Sequence, residues 1–135
     1  MTTHRFHPTR YFNVIGTAEP CLRIADGDTV VTDTIDADVK SANRLKFTLD
    51  GKLALVSVPR SNDLTVIDVA THKVTKRIAV GRGGSGILMQ PDGKRAYVAC
   101  NADNYIAVID LATLTVSGKI ESGGAPDGMA WAVRR

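Results

Sequence analysis

Aromatic side chains make up only 5% of the chain, and they are not interleaved with lysine or arginine. This argues against a single-strand nucleic-acid groove, which stacks bases on rings beside cations. Cysteine is scarce too. Cys21 and Cys100 lie in different regions and form no Cys-x-x-Cys, so neither a zinc knuckle nor a redox pair is indicated, and the expectation is two buried thiols rather than a disulfide. No apolar run approaches membrane-spanning length. The opening Met1-Thr2-Thr3-His4-Arg5-Phe6-His7-Pro8 lacks the apolar centre of a signal peptide, so a cytoplasmic location is the default expectation. There is no Walker motif, no zinc-protease helix and no Gly-x-Ser-x-Gly elbow. Ser85 sits between glycines with no histidine near it in sequence, as in a flexible link.

What remains is an ordinary globular composition: 135 residues, 44% hydrophobic, 23% charged, with a net charge of +3. The charge is uneven. Residues 1–40 carry Arg5, Arg10, Arg23 and Lys40 against Glu19, Asp26, Asp28, Asp33, Asp36 and Asp38, so the remainder holds +5. Its basic residues are scattered through turns, which reads as a solvated surface and not as a nucleic-acid footprint. His4 and His7 have a His-x-x-His spacing, but a metal needs a third and usually a fourth ligand, and the only other histidine, His72, falls in a predicted turn. No metal and no cofactor are expected.

The informative feature is a repeat. Pro91-Asp92-Gly93-Lys94-Arg95-Ala96-Tyr97-Val98-Ala99-Cys100 has an earlier copy, Leu49-Asp50-Gly51-Lys52-Leu53-Ala54-Leu55-Val56-Ser57-Val58. One offset of 42 residues also links Asn62 to Asn104, Asp68 to Asp110, Thr71 to Thr113 and Gly81 to Gly123 without a gap. A period near 40 residues, rich in short β-branched runs, is the pattern of a propeller blade. The expected strands are 43–48, 53–58, 64–69 and 74–80 in a first blade, 43–80, and 86–90, 95–100, 105–111 and 115–121 in a second, 86–121. Gly128-Met129-Ala130-Trp131-Ala132 matches Gly86-Ile87-Leu88-Met89-Gln90, which predicts a closing strand over 129–133. The expected core is Phe47, Leu55, Val56, Val66, Ile67, Met89, Tyr97, Val98, Ile106, Val108 and Ile109. Gly81-Arg82-Gly83-Gly84-Ser85-Gly86 spells Gly-x-Gly-x-x-Gly, but Pro91 and Gly93 cut short the run after it, so the helix that would hold a pyrophosphate is missing. Asp50, Asp68, Asp92 and Asp110 occupy turn positions, where short carboxylates cap backbone amides.

Before the repeat, Cys21–Ala25 and Asp28–Asp36 read as two strands joined by Asp26-Gly27, a β-hairpin. The fold expectation is therefore all-β: an incomplete β-propeller of two four-stranded antiparallel blades plus one extra strand (residues 40–135), with an N-terminal β-hairpin segment (residues 1–39).

These residues carry two resemblances. Tyr97-Val98-Ala99-Cys100-Asn101, Pro91-Asp92-Gly93-Lys94 and Val108-Ile109-Asp110-Leu111-Ala112-Thr113 resemble the YVTN-type β-propeller repeat family over residues 43–132, with Leu49 standing in the first copy where the motif has proline. That likeness implies a non-enzymatic binding or surface protein, often exported, and hence no catalytic residue. His4-Arg5-Phe6-His7-Pro8-Thr9-Arg10-Tyr11, then Glu19-Pro20-Cys21-Leu22-Arg23-Ile24 and Gly27-Asp28-Thr29-Val30-Val31, look like the start of acetamidase/formamidase family proteins. That likeness covers residues 1–38 and implies a metal-assisted hydrolase of short amides, whose reacting residues would lie beyond this point. The leading functional expectation is a binding or scaffold protein that is a fragment or fusion of a larger propeller. It would engage a protein partner or itself through open blade faces, without nucleic acid or membrane. The alternative is a remnant of the amide hydrolase.

Overall fold

A computed structural model describes residues 1–6, 19–32 and 35–132. His7, Val133 and residues 33–34 of the expected hairpin lie outside the described residues. The chain divides into two compact units, Met1–Asp36 and Ala37–Arg135. No helix among the described residues is long and apolar enough to cross a membrane.

In the first unit, β1 (Thr3–Phe6) and β2 (Thr29–Thr32) pair parallel, in register Thr3 with Thr29 through Phe6 with Thr32. This corrects the expected hairpin. The Asp26-Gly27 turn does form, with the Asp28 amide donating to the Ala25 carbonyl at 3.1 Å and Gly27 at φ 80°. Residues 22–25, however, are not a strand. Asp28 decides the pairing. Its carboxylate accepts the Thr2 amide at 2.8 Å and the Ala25 amide at 3.1 Å and meets His4 Nε2 at 2.9 Å. It thereby closes the turn and draws the chain's first strand alongside β2.

The second unit holds two four-stranded antiparallel sheets, each in chain order. The first is β3 (Arg44–Phe47), β4 (Leu53–Val58), β5 (Asp63–Asp68) and β6 (Lys73–Ala79). The second is β7 (Gly84–Met89), β8 (Arg95–Cys100), β9 (Tyr105–Asp110) and β10 (Thr115–Glu121). β4 and β5 are apolar and buried on both faces, β8 and β9 are apolar on both but fully buried on one, and β6 and β10 alternate with polar residues at an outer edge.

The 42-residue repeat extends to local irregularities. The β5–β6 ladder skips Thr75 and the β9–β10 ladder skips Ser117, one period on. Each bulged residue turns its hydroxyl to the opposite strand, Thr75 to the Val66 carbonyl at 3.3 Å and Ser117 to the Val108 carbonyl at 3.2 Å.

The sheets pack face to face. Leu55, Leu64, Val66, Ile78 and Val80 of the first blade meet Ile87, Met89, Ala96, Val98, Cys100, Tyr105, Ala107 and Ile109 of the second in one core. Two polar contacts cross that seam: Tyr105 Oη donates to the Val80 carbonyl at 2.6 Å, and Lys76 Nζ to the Thr113 carbonyl at 3.1 Å. The far side of the first blade forms a smaller core, Ala54, Val56, Val58 and Ile67, with Ala37 and Val39 folded over it. Arg77 fastens that cover by donating to the Ala37 carbonyl at 2.7 Å.

The expected core is corrected at four positions. Tyr97, Ile106 and Val108 are only half-buried, because they point to the far side of the second blade, where no further sheet lies among the described residues. Phe47 is half-buried at the rim of the smaller core. The predicted closing strand is corrected as well: residues 129–132 are not a strand. A single extended segment with no neighbouring strand has nothing to take its amides, and this one is held by side chains instead.

Candidate functional site

The residues with chemical potential are used structurally. Asp50 accepts the Thr48 hydroxyl at 2.6 Å and the Lys52 amide at 3.1 Å, and the Thr48 bond chiefly holds its carboxyl below the usual range. Asp68 accepts the Thr71 amide at 2.7 Å and Asp110 the Thr113 amide at 2.9 Å, and these amide bonds lower both carboxyls. Asp92 accepts the Lys94 amide at 2.9 Å. Asp50, Asp92 and Asp110, with Lys94, line a groove of ≈ 620 Å³ at the turn end of the two blades, each already committed to its own turn. Among the described residues no group of three or more His, Cys, Asp or Glu is placed to hold a metal.

The glycine run opens strand β7 rather than a helix. Gly81, at φ 144°, lies where a Cβ would meet the Tyr105 ring, so the glycine permits the Tyr105–Val80 bond between blades. Ser85 is buried and donates to the Ala99 carbonyl at 3.4 Å. Both cysteines are free. Cys100 is buried, as expected, and burial pushes its thiol up; Cys21 is exposed, which corrects the expectation of two buried thiols.

His4 stands beside Asp28, and the His4 bond, followed by the Ala25 and Thr2 amides, lowers the Asp28 carboxyl from 3.8 to about 2. A carboxyl depressed by folding stabilises the ribbon above its unfolded value of 3.8, and that contribution is lost as pH falls toward about 2. The β1–β2 pairing is accordingly expected to melt on acidification across this window while Asp28→Asn shows no such step, as read from amide exchange of Thr3–Phe6.

The open surface of the second blade is a feature that structural roles do not absorb. Leu88, Tyr97 and Ile106 floor a cleft of ≈ 230 Å³ roofed by Met129, Ala130 and Trp131. Trp131 Nε1 donates to the Met89 carbonyl at 2.6 Å, and its ring meets Tyr97 edge-on at 5.6 Å. Trp131 stays 45% exposed and Ile120, on the same face, 47%. The sequence reading missed the role of Trp131, although the signal was present: Trp131 bonds the residue one repeat period before it, so residues 129–131 keep the repeat's register without its strand.

This face has a counterpart inside the molecule. Tyr97, Ile106, Val108 and Ile120 stand one period after Leu55, Leu64, Val66 and Ile78, in the same ladder pairings, Leu55 with Val66 and Tyr97 with Val108. The earlier four are the residues on which the second blade docks.

No family model matches the chain, and no curated protein matches it in sequence. Solved structures do match in fold. Hydrazine synthase of Kuenenia stuttgartiensis is 23% identical with a TM-score of 0.64, over 78% of this chain and 29% of that one. The periplasmic gluconolactonase PpgL of Pseudomonas aeruginosa is 22% identical with a TM-score of 0.55, over 64% of this chain and 27% of that one. Apo AztD from Citrobacter koseri is 20% identical with a TM-score of 0.53, over 63% of this chain and 25% of that one. The chain therefore spans less than a third of each of these solved chains. They are propeller-like, and what the likeness shows is the fold: two consecutive blades of an incomplete β-propeller.

Proposed function

We propose that the chain is a non-enzymatic binding or scaffold protein built on YVTN-type repeats, a portion of a larger propeller. It engages a further blade, supplied by a partner chain or by another copy of itself, through the open face of its second blade. The observation that carries this reading is the equivalence of Tyr97, Ile106, Val108 and Ile120 with the residues on which the second blade already docks. Repeat units bury their faces on neighbours, and about three or more are usually needed for a stable stack. The commitment of the turn carboxylates to backbone amides also supports a binding role over a catalytic one.

Light scattering coupled to size exclusion tests the proposal. The purified chain is expected to elute as a concentration-dependent assembly, or as a monomer that assembles when a partner blade is supplied. A strictly monomeric species with a sharp, cooperative melt that binds no partner blade would sink it. Hydrolysis of acetamide or formamide that vanishes in His4→Ala would favour the amidase reading instead.

A further inference from the structure

Three cations far apart in sequence meet at one corner of the first blade. Lys40 comes from the link into β3, Arg60 from the β4–β5 turn and Arg77 from β6. With Ser61, Val39, Val58 and one carboxylate, Asp38, they line a cleft of ≈ 250 Å³. Arg77 is already oriented: its guanidinium donates to the carbonyls of Ala37 at 2.7 Å and Asp38 at 3.3 Å and to Thr65 Oγ1 at 3.2 Å. Among the described residues Lys40 and Arg60 have no ion-pair partner.

The second blade provides an internal control. One period on, Lys40 becomes Arg82, Arg60 becomes Ala102, Ser61 becomes Asp103, Arg77 becomes Lys119 and Asp38 becomes Val80. There the cations are occupied. Arg82 Nε donates to Asp103 Oδ1 at 2.6 Å and its amide to Oδ2 at 2.8 Å, while Lys119 Nζ lies 4.1 Å from the centre of the Tyr105 ring. The same corner thus occurs twice on one scaffold. In the second blade a carboxylate faces the link cation. In the first, that carboxylate is a serine and an alanine beside it has become an arginine. Three cations against one carboxylate, Asp38, leave the cleft positive, and converging cations concentrate anions there. An arginine fork and a lysine match the oxygens of a tetrahedral oxyanion, beside a Ser61 hydroxyl that donates to the Val58 carbonyl over a long 3.4 Å. The cleft is smaller than the roughly 300–1,000 Å³ typical of sites for whole small molecules, which suits a phosphoryl group alone.

We propose that the cleft between Lys40, Arg60, Ser61 and Arg77 is a site for a tetrahedral phosphoryl oxyanion, filled by free phosphate or by a phosphorylated side chain.

Phosphorus NMR of the full chain tests this. The resonance of inorganic phosphate is expected to broaden and shift saturably on adding protein, and to persist in sodium chloride at physiological strength. Arg60→Ala with Ser61→Asp rebuilds the second blade's arrangement at two surface positions, and is expected to weaken binding at least about tenfold. Arg60→Ala alone removes a cation without adding a carboxylate, and is expected to weaken it less. Circular dichroism checks that both variants remain folded. A phosphoserine flanked by glycines, run against its unphosphorylated form, separates the sources: tighter binding than free phosphate assigns the site to a modified side chain, equal or weaker binding to the free anion. Unchanged binding in the double variant, or a response abolished by moderate chloride, would overturn the proposal, since diffuse screening by surface charge would then account for it.

Discussion

Val98→Asp is expected to leave residues 37–132 without a cooperative fold. Val98 is fully buried at the centre of the seam between the blades, with Ala107 opposite it on β9. A carboxylate there loses its water and gains no partner, and an uncompensated buried charge costs several kcal/mol. A typical domain holds only about 5–15 kcal/mol in total, and a two-blade unit with an uncovered face belongs at the low end of that range. Far-ultraviolet circular dichroism with a thermal melt reads the outcome: a lost sheet signal or a broad, non-cooperative transition. Leu64→Ala, a cavity mutation in the same seam, is expected to cost about 2–5 kcal/mol and lower the melting midpoint while keeping the transition cooperative. A Val98→Asp protein that melts like the wild type would mean that the two sheets do not share a core.

How much of this was legible in the sequence depends on what the repeat can and cannot encode. The blades were legible because the offset of 42 residues carries turn chemistry and apolar alternation together. Asp50 and Asp92, one period apart, cap the same turn onto Lys52 and Lys94. What failed lay where a strand's partner is not local. Cys21–Ala25 has strand-forming residues, but Asp28 ties the turn to Thr2 and His4 across 26 and 24 residues, and a parallel partner leaves no turn signal. Met129–Trp131 has the composition of an inner strand without a neighbour to pair with. A period-2 pattern gives alternation but not which face is covered, so it places Tyr97, Ile106 and Val108 in the core. Arg60 and Arg77 read as solvated charge in the sequence, and Lys40 lies 37 residues before Arg77, so only the fold brings the three to one cleft.

Val108→Asp, the same substitution one strand away on the opposite face, is expected to do the reverse of Val98→Asp: keep the fold and abolish assembly. Val108 sits beside Tyr97 on the open side of the second sheet and is half-buried, so an aspartate there keeps contact with water and stability changes little. A further blade docking on this face would have to bury that charge. If docking covers on the order of 400 Å² of apolar surface, the contact is worth roughly 10 kcal/mol at about 25 cal/mol per Å². A desolvated carboxylate takes several kcal/mol from that figure, and each 1.4 kcal/mol is about tenfold in the dissociation constant. Assembly is therefore expected to weaken by more than about a hundredfold, read as a shift to monomer in light scattering at a concentration where the wild type is assembled. Trp131→Ala adds the complementary observation. It removes the indole that donates to the Met89 carbonyl and leans on Tyr97, so the cleft over Leu88 and Ile106 opens. If Trp131 occupies part of the docking surface, its loss strengthens assembly. If Trp131 is itself part of what the incoming blade grips, its loss weakens assembly while Val108→Asp still abolishes it. An assembly that survives Val108→Asp intact would place the association elsewhere, and the equivalence of Tyr97, Ile106, Val108 and Ile120 with the first blade's docking residues would then describe shared ancestry of the two blades and not a shared use.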